Sequence, residues 1–210
     1  MGRKSVSRKR KAITRRTNKW LGELLLAIQQ EDLETLTIDD IARLAGKSKS
    51  TIYEYFESKE DILLAACKTR TDQLFASIVE VSQRGLSPLE LYPQLIEILA
   101  QGTVDITISF LQGIKSHYPQ VWAVIDDFTD QFVALLKHHY ESGIAEGLYN
   151  PVSVELLGHI DKLFIIQVVT NPAIFSDEKY ALSSLVKDYL NLRLMGLLKR
   201  EGEAGLRTQD

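Results

Sequence analysis

Apolar residues recur along this chain at the three-and-four spacing of amphipathic helices, and no stretch shows the alternation of a half-buried strand. Leu21, Leu24, Leu25 and Ile28 predict a first helix over about Thr17 to Gln30. Ile38, Ile41, Ala42 and Ala45 mark one face of a short second helix, and Ile52 and Phe56 mark a third. Ile62, Leu63, Ala66, Leu74, Ile78 and Val81 give a long fourth helix reaching about Gln83. Two more follow, over residues 88 to about 102 and from Val104 to His117. A longer helix opens at Pro119 and carries Val121, Trp122, Ile125, Phe128, Phe132, Leu135 and Leu136, ending near Gly143 or Gly147. Val152 to Thr170 and Asp177 to Arg200 complete an all-α chain without internal repeats.

Polar punctuation sharpens the short second and third helices. Thr37 stands at an N-cap position with Asp40 three residues on, a capping-box-like arrangement for orphaned backbone donors. Gly46 accepts the positive φ of a sharp helix exit, and Ser48 or Ser50 can cap the next helix. Two short helices about a glycine turn are the layout of a helix-turn-helix DNA reader. The outer face of the third helix carries Lys49, Thr51, Tyr53 and Tyr55, donors suited to phosphates and base edges. Ser58, with Glu60 and Asp61 behind it, starts the fourth helix.

The run TIDDIARLAGKSKSTIYEYFESKE resembles the N-terminal DNA-binding region of the TetR (tetracycline-repressor-like) family of transcriptional regulators. The family's I-A-x-x-A-G-x-S helix and turn corresponds to Ile41, Ala42, Ala45, Gly46 and Ser48. Its T-[LI]-Y-x-[YH]-F recognition helix corresponds to Thr51, Ile52, Tyr53, Tyr55 and Phe56, and its S-K-E to Ser58, Lys59 and Glu60. The resemblance covers roughly residues 18 to 66, and GIAEGLYNP is similar to the turn before the family's last two helices. Three positions depart from the pattern. Lys47 replaces a usual valine in the turn, Glu54 places an acid on the reading helix, and Asp32 replaces a usual glycine, which aspartate's tolerance of the left-handed region would permit.

The resemblance implies an N-terminal three-helix domain that binds a double-stranded DNA operator and a C-terminal helical domain for ligand binding and dimerisation. The implied base-edge contacts are Lys49, Ser50 and Thr51; Thr37, Tyr53, Tyr55 and Lys59 are the phosphate candidates, with Ser48 beside them. It implies a homodimer through residues about 152–200, where Leu156, Leu157, Ile160, Leu163, Phe164 and Val168 face Leu182, Leu185, Val186, Tyr189, Leu192, Leu197 and Leu198 in apolar character. It also raises a small apolar effector, with Phe110, Trp122 and Phe128 as wall candidates and His117 and Asp126 as polar anchors, against the plainer reading of these aromatics as core.

Charge changes the picture at one end. Residues 1–60 carry 13 Lys/Arg against 9 Asp/Glu, whereas residues 61–210 carry 12 against 19. Nine of those bases fall within residues 1–20, which hold no acid. That tail reads either as a solvated terminus or as an arm that follows DNA. The organisation expected is therefore a basic arm over 1–16, a helix-turn-helix domain over 17–62 and a helical effector and dimerisation domain over 63–210. Glu23 interrupts the apolar WLGELLLAI segment and no small-residue cleavage site follows, so neither a signal peptide nor a membrane span is expected, and the single Cys67 asks for no oxidising compartment. A cytoplasmic protein without cofactor or metal is the expectation. His117, His138, His139 and His159 lack metal-ligand spacing, and no phosphate-binding loop or nucleophile elbow is present. The rival readings are an architectural protein binding DNA without sequence preference and a helical ligand carrier or enzyme.

Overall fold

The computed structural model describes residues 10–171 and 181–199, all of whose regular elements are helical. The helices are α1 (Arg15–Ala27, extended by a 3-10 turn over Ile28–Gln30), α2 (Ile38–Leu44), α3 (Lys49–Tyr55), α4 (Lys59–Ser82) and α5 (Pro88–Thr103). They continue as α6 (Ile108–His117), α7 (Pro119–Ala145), α8 (Val154–Thr170) and α9 (Leu182–Leu197). Among the described residues no single helix is long and apolar enough to cross a membrane.

At three helix starts a hydroxyl that captures a backbone amide moves the boundary away from the apolar pattern. Thr14, not Thr17, caps α1, its Oγ1 accepting from the Thr17 amide at 3.3 Å. Residues 104–107 are not helical, because Thr107 caps α6 and is itself held by Gln29, whose side-chain oxygen accepts from the Thr107 amide at 3.0 Å. Ser153 starts α8 two residues later than expected. Helix α9 begins at Leu182; the expected start at Asp177 and end at Arg200 lie outside the described residues.

Compactness divides the chain into two units, residues 1–73 with 105–126, and residues 74–104 with 127–210. Residues 105–126, grouped by pattern with the C-terminal half, thus pack with the N-terminal helices. In this first unit Leu21, Leu24, Leu25, Ile28, Ile41, Ile52, Phe56, Ile62, Leu63 and Ile114 are buried, and the Trp20 and Phe56 rings meet edge to face at 6.0 Å. Tyr118 Oη donates to the Leu33 carbonyl at 3.0 Å.

The second unit buries Ile78, Val81, Tyr92, Leu95, Ile96, Leu99, Phe132, Leu136, Tyr140, Tyr149, Leu157, Leu190 and Leu197 in one cluster, with α5 against α9. The break after α7 is pinned to the end of α9: the Asn150 amide donates to the Leu197 carbonyl at 2.8 Å, and the Lys199 amide to the Leu148 carbonyl at 3.1 Å. Tyr149 turns inward onto α7, its ring lying where a Cβ on Gly143 would stand. Its hydroxyl shares a 2.8 Å hydrogen bond with His139 Nε2.

A second polar cluster lies deeper. Asp161 on α8 is 1% exposed, and its Oδ1 accepts from Arg193 Nη2 at 2.7 Å, Arg193 Nε at 3.0 Å and Tyr189 Oη at 2.6 Å, while Oδ2 accepts from Tyr140 Oη at 3.0 Å. A buried carboxylate without such partners would be costly to desolvate; here α7, α8 and α9 each supply a member. Phe164 stacks on Tyr189 with centroids 3.8 Å apart.

Two outcomes follow for stability. Gly143→Ala should destabilise by about 1–3 kcal/mol because the new methyl meets the Tyr149 ring, whereas Gly22→Ala, within α1 and with nothing within 4 Å of a built Cβ, should stabilise by up to about 1 kcal/mol through helix propensity. Denaturant titration checks the opposite signs. Burial, with repulsion from His138 added, lowers the His139 pKa from 6.5 to about 4, so the unfolded chain binds the extra proton between these values. Stability should therefore be lost as pH falls from about 6.5 towards 4, by on the order of 2–3 kcal/mol from this group. His139→Gln should flatten that part of the stability curve; an unchanged pH slope would remove the histidine as its cause.

Candidate nucleic-acid interface

Helices α2 and α3 have seven residues each, too short to persist alone in water, so their ends must be satisfied locally. At the start of α2, Thr37 Oγ1 accepts from the Asp40 amide at 3.2 Å and the Asp40 carboxylate accepts from the Thr37 amide at 3.1 Å, a reciprocal capping box. The Thr37 hydroxyl and amide hold the Asp40 pKa below its usual value. At its end, Gly46 takes φ +60°, the Gly46 amide donates to the Arg43 carbonyl at 3.1 Å and the Lys47 amide to the Ala42 carbonyl at 2.9 Å, a Schellman closure. Ser48 then caps α3, accepting from the Thr51 amide at 3.1 Å. Asp32, upstream, does not enter the left-handed region, since every positive φ among the described residues belongs to glycine. Its carboxylate accepts instead from the Glu34 amide at 2.9 Å and the Thr35 hydroxyl at 3.2 Å, an Asx turn.

This chemistry aims α3 outward. Ile52 is buried beneath it, while Ser48, Lys49, Ser50, Tyr53 and Glu54 are exposed and Thr51 and Tyr55 half-buried. Lys49, Lys11 and Arg10 each have an acid beside them. Lys49 Nζ lies 2.8 Å from Asp39, a contact that raises the lysine pKa, and Lys11 Nζ lies 2.7 Å from Glu54 with the same effect. Arg10 Nε lies 3.2 Å from Glu57.

Of the residues singled out by sequence, Ser48, Lys49, Ser50, Thr51, Tyr53 and Tyr55 share one short helix and its cap, and Thr37 begins the helix before it. Lys59 is placed otherwise. Its ammonium donates to the Leu33 carbonyl at 2.8 Å and the Leu36 carbonyl at 2.7 Å and lies 5.6 Å from the Tyr118 ring centroid, so it braces the turn after α1. Arg10 and Lys11 went unmarked individually. Only the basic excess before residue 20 hinted at them, because their partners lie more than forty positions away.

The effector candidates are distributed as follows. In the first unit Phe110 is buried, Trp122 and Asp126 are half-buried and His117 is exposed, and Lys115 Nζ lies 5.0 Å from the Trp122 ring centroid; Phe128, in the second unit, is half-buried. Cys67 is buried and its thiol pKa is pushed up to about 12 by desolvation, which marks it as packing. No group of three or more His, Cys, Asp or Glu side chains among the described residues could hold a metal ion.

Residues 27–66 match the family model for bacterial regulatory proteins of the tetR family. Over 121 residues, 55% of this chain and 61% of the relative, the chain is 26% identical to the HTH-type transcriptional regulator YvaF of Bacillus subtilis; it thus spans about three fifths of that protein's length. The ketosteroid transcriptional regulator KstR2 of Mycobacterium tuberculosis superposes with a TM-score of 0.61 at 23% identity, covering 90% of this chain and 98% of its own. The transcriptional regulator FadR from Bacillus subtilis, in complex with stearoyl-CoA, superposes with a TM-score of 0.64 at 22% identity, covering 85% and 98%. The match to the tetR family model is confined to the helix-turn-helix region, and the fold matches these regulators along most of the chain's length.

The placement of Lys59 sets an expectation for stability. Lys59→Met should leave the Leu33 and Leu36 carbonyls without their cation and destabilise the first unit by roughly 1–3 kcal/mol in thermal unfolding. An unchanged midpoint would show that the ammonium does not brace this turn.

Proposed function

We propose that this protein is a homodimeric transcriptional regulator of the tetR type, a repressor that places α3 of each subunit in the major groove of a palindromic operator. The observation that carries this reading is the outward face of α3, polar from Ser48 to Tyr53 and held by caps at its start and over Ile52 beneath. Two-fold symmetry would set the two copies about 34–36 Å apart, one helical turn of DNA. Lys49, Ser50 and Thr51 read base edges in this arrangement, while Thr37, Tyr53 and Tyr55 position the backbone. Lys49 exchanges Asp39 for DNA, a swap that costs little because an exposed ion pair is weak.

The second copy is supported by an uncovered apolar surface. On α8, Leu156, Ile160 and Leu163 are 57%, 39% and 56% exposed at i, i+4, i+7, and on α9 Leu192 and Met195 are 70% and 68% exposed at i, i+3. The same pair on a partner would bury them in a four-helix bundle. Release by a small apolar effector completes the reading, with Phe110, Trp122, His117 and Asp126 of the first unit as candidate contacts; the stearoyl-CoA in complex with Bacillus subtilis FadR offers an apolar acyl chain of that chemistry. Such coupling amounts to about 1–3 kcal/mol. The protein would act in the cytoplasm, where its DNA target lies.

DNA selected by the wild-type protein from a random pool, compared with unselected DNA at one salt concentration, tests this function. Lys49→Ala should lose about 1–3 kcal/mol of discrimination, whereas Leu192→Asp should yield monomers by sedimentation. A wild-type protein that bound no DNA, or bound every sequence equally, would overturn the reading.

A further inference from the structure

Most formal charges on α8 and α9 are settled within the chain. Glu155 lies 2.5 Å from Lys137, Lys187 lies 3.2 Å from Glu97, Lys162 pairs with Asp130, and Arg193 lies 2.7 Å from the buried Asp161. Asp188 on α9 and Lys199 just beyond its end are different: both are exposed, and neither has an ion pair with another described residue. Asp188 precedes Leu192 by four residues and Met195 by seven, so the three share the uncovered face of the helix. Lys199 follows Met195 past the last turn, held there by the hydrogen bond from its amide to the Leu148 carbonyl at 3.1 Å. In chain order the face therefore presents an acid, Leu192, Met195 and a base. Gly196, exposed one turn after Leu192, has nothing within 4 Å of a built Cβ, so crowding within the subunit does not account for it, and its bare backbone leaves room for a second helix to come close.

Resting on the reading of this surface as the seat of a second copy, we propose that Asp188 and Lys199 set the register of self-recognition: two α9 helices cross antiparallel about a two-fold axis, and Asp188 of each subunit pairs with Lys199 of the partner subunit. The order of the face fits it to its own copy. Along the sequence the midpoint between Asp188 and Lys199 is also the midpoint between Leu192 and Met195, so a single axis brings each acid to a base and each Leu192 to a Met195. A parallel crossing would set acid against acid and base against base. An antiparallel slip of one turn would face Asp188 with Met195 or Lys199 with Leu192. Burial of the apolar residues drives association, while the two charges select orientation, register and partner.

Sedimentation equilibrium of the full chain, at about 0.1 M salt where the Debye length is near 10 Å, reads the effect. Each substitution acts twice in a symmetric dimer, so Asp188→Lys and Lys199→Asp should each raise the dimer Kd by about tenfold or more. The double variant Asp188→Lys/Lys199→Asp exchanges the signs and should return to within about threefold of wild type. Mixing the two single variants in equal amounts brings opposite charges together at both ends of the contact, so native mass spectrometry should show heterodimers in excess of random exchange. Circular dichroism should give every variant the helix content of the wild type, which separates lost recognition from lost folding. Single variants that dimerise as tightly as wild type, a double variant as weak as the singles, or a mixture that exchanges at random overturns the pairing and leaves the homodimer to the Leu192→Asp result. A wild-type protein that stays monomeric at every concentration overturns both.

Discussion

The helix-turn-helix depends on satisfying the ends of helices too short to stand by themselves. Two seven-residue helices make few internal hydrogen bonds for the number of amides and carbonyls they leave open. Thr37 with Asp40, the Gly46 closure and Ser48 answer this from within the motif. Arg10 and Lys11 answer it from the preceding segment, and Lys59 performs the same service for carbonyls of the turn after α1. Burial of Ile41 and Ile52 supplies the hydrophobic stabilisation, but end chemistry decides which face of α3 points away from that core.

How much of this the sequence disclosed depends on the range of each interaction. The capping box, the glycine turn and the Ser48 cap are relations across three or four residues, and the amino-acid order displays them directly. The apolar stripes likewise foretold the order of the helices found among the described residues, because helical periodicity is local. Starts drifted where a hydroxyl competed with the stripe: Thr14 lengthened α1, and Thr107, anchored by Gln29 from 78 positions away, shortened α6. Lys59 illustrates the limit at the site. Its motif position suggested an anion, whereas its partners are backbone carbonyls, which carry no side-chain signature in the sequence. Glu54 was visible as a departure, yet Lys11 could not be assigned to it across 43 residues without coordinates.

The second unit applies a different constraint. Asp161 is buried on α8 and draws Tyr140, Tyr189 and Arg193 to itself from the two neighbouring helices. Replacing such a buried pair by apolar residues of similar shape often costs nothing, so its contribution is better sought in uniqueness of packing than in stability. Leucines on α8 and α9 could slide by a turn and still be buried; a carboxylate with four directional donors could not. The exposed residues Leu156, Ile160, Leu163, Leu192 and Met195 are therefore displayed in one register, which matters for any surface that must recognise its own copy.

Gly46 carries a consequence for how such a protein can change. A Cβ at this position would meet nothing within 4 Å, so the restriction there is torsional and owes nothing to crowding. The relation between α2 and α3 is written into a backbone dihedral, while the chemistry presented by α3 is written into side chains that the dihedral never touches. Substitutions at Lys49 or Ser50 can thus change the chemistry that α3 presents while the dihedral that aims the helix stays as it is.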